Sequence, residues 1–300
     1  MTDHRKALLA YLAVCFFWGS TYLAIRIGVQ DSPPLIFAGI RFIIAGSLML
    51  GYCKLRGYQL PKEKKDIRAM SIVGLLMLLG GNGLVVYAEQ WVSSGIASLI
   101  IATVPLFMAV IEYFFLKTIK MDLKCVLGLL LGFGGVAFLL VGDGGNTAID
   151  MKGLLLLMLA SFSWAGGSVH SKSIGFKGHI FGNIGTQMLA GGIGLTAAAL
   201  IKGEFSQLHF TSNSIMAILY LIVFGSLVGY SCYIYILQKW PAAKAGTYAY
   251  INPVVAIILG ALLLREPFNL TVVISMVIVI AGVILVQSSK AEYIKKATEK

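Results

Sequence analysis

Charged side chains are scarce in this sequence, since Asp, Glu, Lys and Arg make up only 12% of its 300 residues. An average soluble domain carries roughly 25%. Hydrophobic residues account for 58% of the chain. Apolar runs of about 20 residues, the length that crosses a bilayer as a helix, recur throughout it. A soluble domain could not bury so much apolar surface, so the composition indicates a polytopic protein whose surroundings are a lipid bilayer.

Motifs for catalysis, metal binding and nucleic-acid binding are also lacking. The net charge of +11 does not indicate a nucleic-acid partner, because no long soluble segment carries a basic face. Four cysteines without a CxxC pair argue against a disulfide framework and against a zinc site. GxSxG, HExxH, a phosphate-binding loop and an Asp-rich metal motif are absent. We therefore expect no catalytic residues, no metal, no cofactor and no enzymatic activity.

The first apolar run follows MTDHRK and lacks the small-x-small site at which a signal peptide is cleaved, so we interpret it as an uncleaved first span. Apolar runs between charged or Gly/Pro-rich breaks predict ten spans in all. They cover residues 7–29, 35–53, 70–88, 95–116, 123–141, 153–172, 180–201, 214–236, 243–264 and 270–287.

The distribution of Lys and Arg predicts the orientation, because these residues accumulate in cytoplasmic loops. With the N-terminus inside, 19 of them fall in cytoplasmic segments and three in external segments. We therefore expect a multi-pass protein of the cytoplasmic or inner membrane with both termini in the cytoplasm.

A tryptophan-led polar segment occurs twice. WGSTYLAIRIG begins at Trp18, and WAGGSVHSKSIG begins at Trp164, 146 residues later. Further pairs recur at offsets of 147 to 149: Trp91 with Trp240, Pro105 with Pro253, and Gly135 with Gly282. Five spans per copy is an odd number, so the second copy begins on the opposite side of the membrane. Such inverted repeats are found in many secondary transporters, whose substrate sites lie between the repeats near the midplane.

The segments WGSTYLAIRIGV, PPLIFAGIRF, GNGLVVYAEQWVSSGIASLIIATVPLF and TYAYINPVVAIILG together resemble the EamA family of the drug/metabolite transporter superfamily, and most of all its YedA-like inner-membrane branch. The resemblance implies an all-α integral membrane fold. Its ten transmembrane helices would form two inverted five-helix repeats around a central cavity, and its activity would be export of small metabolites such as amino acids. We place the repeats at residues 1–145 and 146–290, followed by a cytoplasmic tail at 291–300. One departure is that the glutamate that the family often places after the ninth span is present as Glu266, whereas its partner position after the fourth span holds Thr118.

Polar and aromatic side chains inside the spans indicate which helix faces line the cavity, since such groups must face protein or water. Tyr248 and Asn252, for example, lie at i and i+4 on one face of the ninth span. The residues predicted to line the substrate route are Trp18, Thr21, Tyr22, Asn82, Glu89, Trp164, Tyr230, Tyr248 and Asn252. Asn and Ser also join helices to one another in membranes, so a structural role stays an alternative for them. The set suits a small polar or zwitterionic solute.

Charged residues inside or beside the spans have open roles. We expect Arg26 to anchor a helix end at the membrane interface. Arg41 is either a second anchor, which we favour, or a counter-ion for an anionic substrate group. Protons are one candidate coupling ion, for which Glu89 and Glu112 are the acidic candidates.

The sequence therefore predicts a secondary transporter that exports a small polar metabolite, an amino acid or a related compound, by alternating access. A membrane-embedded enzyme acting on a lipid-phase substrate and a non-transporting scaffold are the alternatives. A channel is disfavoured because no repeated filter motif occurs. The glycine-rich segments GLLLGFGG and AGGIG predict close helix packing.

Overall fold

The computed structural model describes residues 3–115, 119–120, 122–141, 150–174, 178–240, 245–266, 269–288 and 292–293. In these ranges the chain forms ten long helices, which confirms the expected helical fold. They are α1 (Asp3–Asp31), α2 (Pro34–Leu55), α3 (Lys64–Ala88), α4 (Ser94–Phe114), α5 (Leu123–Val141), α6 (Met151–Ile174), α7 (Ile180–Ile201), α8 (Ser212–Lys239), α9 (Tyr248–Leu264) and α10 (Leu270–Gln287). A short 3-10 helix, Glu204–Gln207, precedes α8, and strands β1 (Ile119–Lys120) and β2 (Glu292–Tyr293) pair antiparallel.

The lengths of these helices fit a bilayer. Within the described ranges, seven helices are long and apolar enough to cross a membrane, namely α1 to α4 and α6 to α8. Helices α5, α9 and α10 contribute shorter apolar stretches, Leu123–Leu139, Tyr248–Leu264 and Leu270–Val286. Each of these reaches the lower limit of roughly 17 residues for a spanning helix.

Glycines allow close contact between helices that occupy the same place in the two halves. Helix α2 packs along α7, and α5 packs along α10. A Cβ added at Gly46 of α2 would lie 2.7 Å from the backbone nitrogen of Leu189, and one added at Gly128 of α5 would lie 2.7 Å from that of Val286. Helix association in lipid depends on such backbone approach. The close packing expected for the glycine-rich segments is thus confirmed for Gly128.

A proline interrupts α4 in its middle. Two helical stretches, Ser94–Ile101 and Val104–Phe114, meet at Ala102 and Thr103. Pro105 has no N–H to donate to the carbonyl of Ile101, so the regular bonding of the helix cannot continue there. The proline at the corresponding place in the second half, Pro253, lies inside α9, which continues past it.

Helices α3 and α8 each contain a π-helical stretch. The two stretches are Leu75–Gly83 and Leu221–Tyr230, and their first residues are 146 apart, the same offset that separates Trp18 from Trp164. π-Helical turns are rare and occur frequently at functional sites because they redirect the side chains that follow. Both stretches contribute to the cavity described below.

Glu266 joins the end of α9 to the start of α4. Its carboxylate accepts hydrogen bonds from the Ser94 backbone nitrogen (2.9 Å), the Ser94 hydroxyl (2.7 Å) and the Gly95 nitrogen (3.3 Å). The unpaired N–H groups and the dipole at a helix N-terminus favour an anion in that place. The counterpart position, Thr118, lies outside the described residues.

Candidate functional site

A central cavity of about 60 Å³ lies among the helices of both halves. Seven of the nine side chains predicted from the sequence line it, and they come from α1, α3, α6, α8 and α9: Trp18, Thr21, Tyr22, Asn82, Trp164, Tyr230 and Tyr248. The other lining residues are mainly apolar, among them Ile25, Leu78, Val85 and Ile101. An engineered cavity of roughly 150 Å³ admits benzene, so the present volume is too small for a solute of that size.

An aromatic cluster forms much of the cavity wall. The Trp18 ring meets Trp164 edge to face with ring centroids 5.4 Å apart, and it also contacts Tyr233 (5.0 Å) and Tyr248 (5.1 Å). The indole nitrogen of Trp18 donates to the Gly225 carbonyl at 3.0 Å, which fixes the ring against the π-helical stretch of α8. Such rings present large apolar surfaces whose faces attract cations.

Arg41 of α2 also lines the cavity, where only 3% of its surface is exposed. Its Nε donates to the Ser226 hydroxyl at 2.8 Å, and its Nη1 donates to the Asn82 side-chain oxygen at 3.4 Å. The favoured interpretation of Arg41 as an interfacial anchor is therefore wrong. The physical reason is depth, since Arg41 lies seven residues beyond Pro34, roughly 10 Å along the helix axis.

Gln187 of α7 completes the polar framework around the cavity, although the sequence analysis did not single it out. It is fully buried, and it accepts a hydrogen bond from the Tyr230 hydroxyl at 2.7 Å. Gln187 stands 146 residues after Arg41. That offset, already given by the two tryptophans, was the signal that could have found it.

Glu89 lies outside the set of residues that line the cavity. Its side chain is fully buried, and neither carboxyl oxygen has a hydrogen-bond partner within the described ranges. Arg26 donates to the backbone carbonyl of Glu89, and the charges of Arg26 and Glu266 act on the carboxyl group. An ionised carboxylate without donors is costly in such a place, so the geometry favours a protonated side chain.

Asn252 also lies outside the lining set. With its amide oriented to satisfy both partners, its nitrogen donates to the Cys15 carbonyl at 3.0 Å and to the Tyr248 carbonyl at 3.3 Å. The residue thus joins α9 to α1, which is the structural alternative that such residues commonly serve in membranes.

A second, more polar cleft of about 360 Å³ lies between the end of α1, the start of α2, the end of α3 and the segment after α7. Glu204 borders it and accepts hydrogen bonds from the backbone nitrogens of Leu35 and Ile36, both at 2.9 Å. Burial raises the pKa of the Glu204 carboxyl, and the bonds from these two N–H groups oppose that rise. Glu204 therefore serves as a cap for α2.

Ten apolar helices around an aromatic cavity are the architecture of a polytopic membrane transporter. The chain belongs to the EamA-like transporter family, whose model matches residues 5–141 and again residues 151–288. The two matches correspond to the two halves that repeat the tryptophan segment.

Relatives that match nearly the whole chain are named as transporters. The chain is 38% identical over 284 residues to the uncharacterized inner membrane transporter YedA of Escherichia coli strain K12, which covers 94% of this chain and 90% of YedA. It is 27% identical to the uncharacterized transporter YoaV of Bacillus subtilis strain 168, covering 93% and 96% of the two chains. A protein of known crystal structure shares the fold with a TM-score of 0.67 at 18% identity, over 93% of this chain and 96% of that one.

Proposed function

We propose that this protein exports a small polar metabolite, an amino acid or a related compound, across the cytoplasmic membrane. One observation carries the proposal: side chains from both halves converge on one cavity whose hydroxyl, amide and aromatic groups can hold a polar solute. The relatives are named as transporters, which supports the same class of activity. The substrate would contact Trp18, Thr21, Tyr22, Asn82, Trp164, Tyr230 and Tyr248.

The mechanism would be alternating access between two inverted repeats, at residues 1–145 and 146–290, with both termini and the tail at 291–300 in the cytoplasm. The cavity of about 60 Å³ is smaller than a metabolite needs, so its walls would separate to admit a substrate. The break of α4 before Pro105 and the proline inside α9 supply two repeat-related places where a helix can bend.

Protons are the coupling ion that we propose, with Glu89 as their carrier. Its buried carboxyl has no hydrogen-bond partner in the described ranges. The free energies of its charged and neutral forms in this place would therefore differ strongly, and gain or loss of a proton would favour different arrangements around it. Glu112 of α4 is less suited, because it interacts electrostatically with Lys172 and can form an ordinary charge pair.

The test is an untargeted comparison of the growth medium from cells that overexpress the protein with medium from cells that lack it. Export predicts that one or more small polar metabolites accumulate outside in proportion to expression, under at least one of several nutrient loads. Identical extracellular metabolites under every load would contradict the proposal. Overexpression of a Trp18→Ala, Tyr230→Ala double variant provides the control for effects of membrane-protein load alone.

A further inference from the structure

Arg41 brings a fixed positive charge into the central cavity. Its described hydrogen-bond acceptors, the Ser226 hydroxyl and the Asn82 amide oxygen, are both neutral, and no carboxylate lies within ion-pairing distance of it in the ranges that the structure describes. Two neutral acceptors also leave the Nη2 group without a hydrogen bond among the described residues. The Phe42 ring, whose centroid lies 4.5 Å from Arg41 Cζ, adds a cation–π contact but no negative charge. Burial of a charge is costly unless it is paired, so the position favours an anionic partner.

The cavity wall does not supply that partner. Its described lining residues include no Asp and no Glu, so Arg41 is the only charged side chain among them. Gly225 of α8 lets the guanidinium lie directly against its backbone, because a Cβ added there would lie 2.6 Å from Nη2. The α8 backbone thus covers one side of the guanidinium, and a ligand would reach it from the side that lines the cavity.

The second half has a neutral residue at the position equivalent to Arg41. Gln187 occupies the position 146 residues later, on the equivalent helix α7, and it fills its place with a neutral amide bonded to Tyr230 at 2.7 Å. The second helix of the second half thus carries a neutral amide at this position. The second helix of the first half carries a cation, which favours a counter-charge. Intramembrane ionisable residues of this kind mark substrate or ion sites.

We propose that Arg41 binds the carboxylate of the transported substrate, and that the protein therefore carries small carboxylates. This inference rests on the proposed export function and specifies its substrate class. A guanidinium pairs with a carboxylate through two parallel hydrogen bonds, and Nη2 with the remaining Nη1 proton can supply them. The rest of the substrate lies against the aromatic cluster, whose ring faces accept an ammonium group or an apolar body equally well.

Proteoliposomes containing the purified protein test this proposal. They are loaded with a size-filtered extract of bacterial cytoplasm supplemented with L-serine, glycerate and ethanolamine, and the released compounds are identified by mass spectrometry. Serine carries a carboxylate and an ammonium group, glycerate only the carboxylate, and ethanolamine only the ammonium group. We expect every compound released above the level of empty liposomes to carry a carboxylate, and ethanolamine to be retained. Release of amino acids alone would identify amino acids as the carboxylates that the site accepts. Release of hydroxy or oxo acids alone would identify those acids instead.

Release from proteoliposomes containing variants of Arg41 is the second part of the test. Arg41→Gln should lower carboxylate release roughly tenfold or more, since a charge-assisted pair is lost. Arg41→Lys should retain a measurable part of the release because it keeps the charge. Arg56→Gln, an equal change of charge at the exposed end of the same helix, should release carboxylates at the wild-type rate.

A measurement on the wild-type protein covers the case in which Arg41→Gln fails to fold. Phenylglyoxal reacts with arginines, and peptide mapping reports the modification of Arg41. The released carboxylates should protect Arg41 from the reagent, whereas ethanolamine should not. Release of compounds without an acidic group, at equal rates in the wild type and in Arg41→Gln, would overturn the role of Arg41 and leave export intact. Absence of any release from the wild type would instead overturn the export function itself.

Discussion

Trp18 and Trp164, which stand at equivalent positions of the two halves, touch each other edge to face with ring centroids 5.4 Å apart. If the halves are related by a twofold axis, as the inverted repeat predicts, two equivalent residues in contact lie close to that axis. Both rings line the cavity, so the contact between the two halves lies at its wall. A movement of one half relative to the other would then change this contact.

Loss of the Trp18 ring should slow transport. Trp18 contacts three other rings of the cluster, and each aromatic contact contributes about 0.5–1.5 kcal/mol. We expect Trp18→Ala to lower export roughly tenfold and Trp18→Phe to lower it less, with both variants still in the membrane. Efflux assays with quantified membrane levels provide the measurement. Trp91→Ala, at an exposed ring outside the cavity, is the control, and equal rates for Trp18→Ala and Trp91→Ala would contradict the prediction.

Glu89→Gln should separate coupling from transport. The amide keeps the size of a protonated carboxyl but cannot release a proton, so flux driven by a pH gradient should be lost while exchange at equal substrate concentrations persists. The measurement is uptake and counterflow in proteoliposomes with and without an imposed pH gradient. Glu112→Gln serves as the comparison and should keep gradient-driven flux. Normal gradient-driven flux in Glu89→Gln would exclude Glu89 as the proton carrier.

The contact between α5 and α10 should be sensitive to added volume. A Cβ at Gly282 would lie 2.6 Å from the Cα of Gly132, whereas one at Gly134 meets no atom within 4 Å. Overpacking of this kind costs about 1–3 kcal/mol. We expect Gly282→Ala to lower the unfolding temperature of the detergent-solubilised protein, and Gly134→Ala to leave it near the wild-type value. Comparable unfolding temperatures for the two variants would contradict the prediction, because α5 and α10 would then accommodate the added Cβ without loss of stability.

Cysteine accessibility should distinguish the cavity wall from the helix contacts behind it. In a variant without the natural cysteines, Thr21→Cys should react with a small water-soluble thiol reagent, because residue 21 lines the cavity. Asn252→Cys should react far more slowly, since residue 252 is buried between α9 and α1. Mass spectrometry of the labelled protein measures both rates. Faster labelling at residue 252 than at residue 21 would place the aqueous route elsewhere.

A reporter fused at Asp150, next to the start of α6, should report an external location if each half has five spans and both termini are cytoplasmic. The preceding residues 142–149 lie outside the described ranges. Alkaline phosphatase and green fluorescent protein fusions at this site give opposite signals on the two sides of the membrane. A cytoplasmic signal would contradict the inverted arrangement.

Most of the fold and of the aromatic site could be predicted from the sequence, because span length, repeat offset and the scarcity of polar groups in lipid are all visible in it. The orientation of Arg41 could not be predicted. Helix α2 is apolar on every side, so its sequence does not indicate which face meets α3 and α8. Only the packing of α2 along α7 determines that rotation, and it turns Arg41 towards Ser226.

Asn252 illustrates a second limit. Its spacing from Tyr248 correctly predicts a shared face of α9, yet that face is wide enough to meet both the cavity and the backbone of α1. Tyr248 lines the cavity, whereas Asn252 bonds the Cys15 carbonyl of α1. This difference depends on how α9 packs against α1, which the sequence of α9 alone does not determine. The π-helical stretches were equally hidden, since a run of leucine and glycine does not distinguish a π turn from an α turn.

The π-helical stretches of α3 and α8 bear on the history of the chain. A π turn contains one residue more than an α turn, and such turns are frequent at functional sites. The two stretches begin 146 residues apart, so one extra residue in an ancestral unit that was later duplicated would account for both. On that account the halves came to differ in charge, with Arg41 in one and Gln187 in the other, while the irregular turn stayed in both.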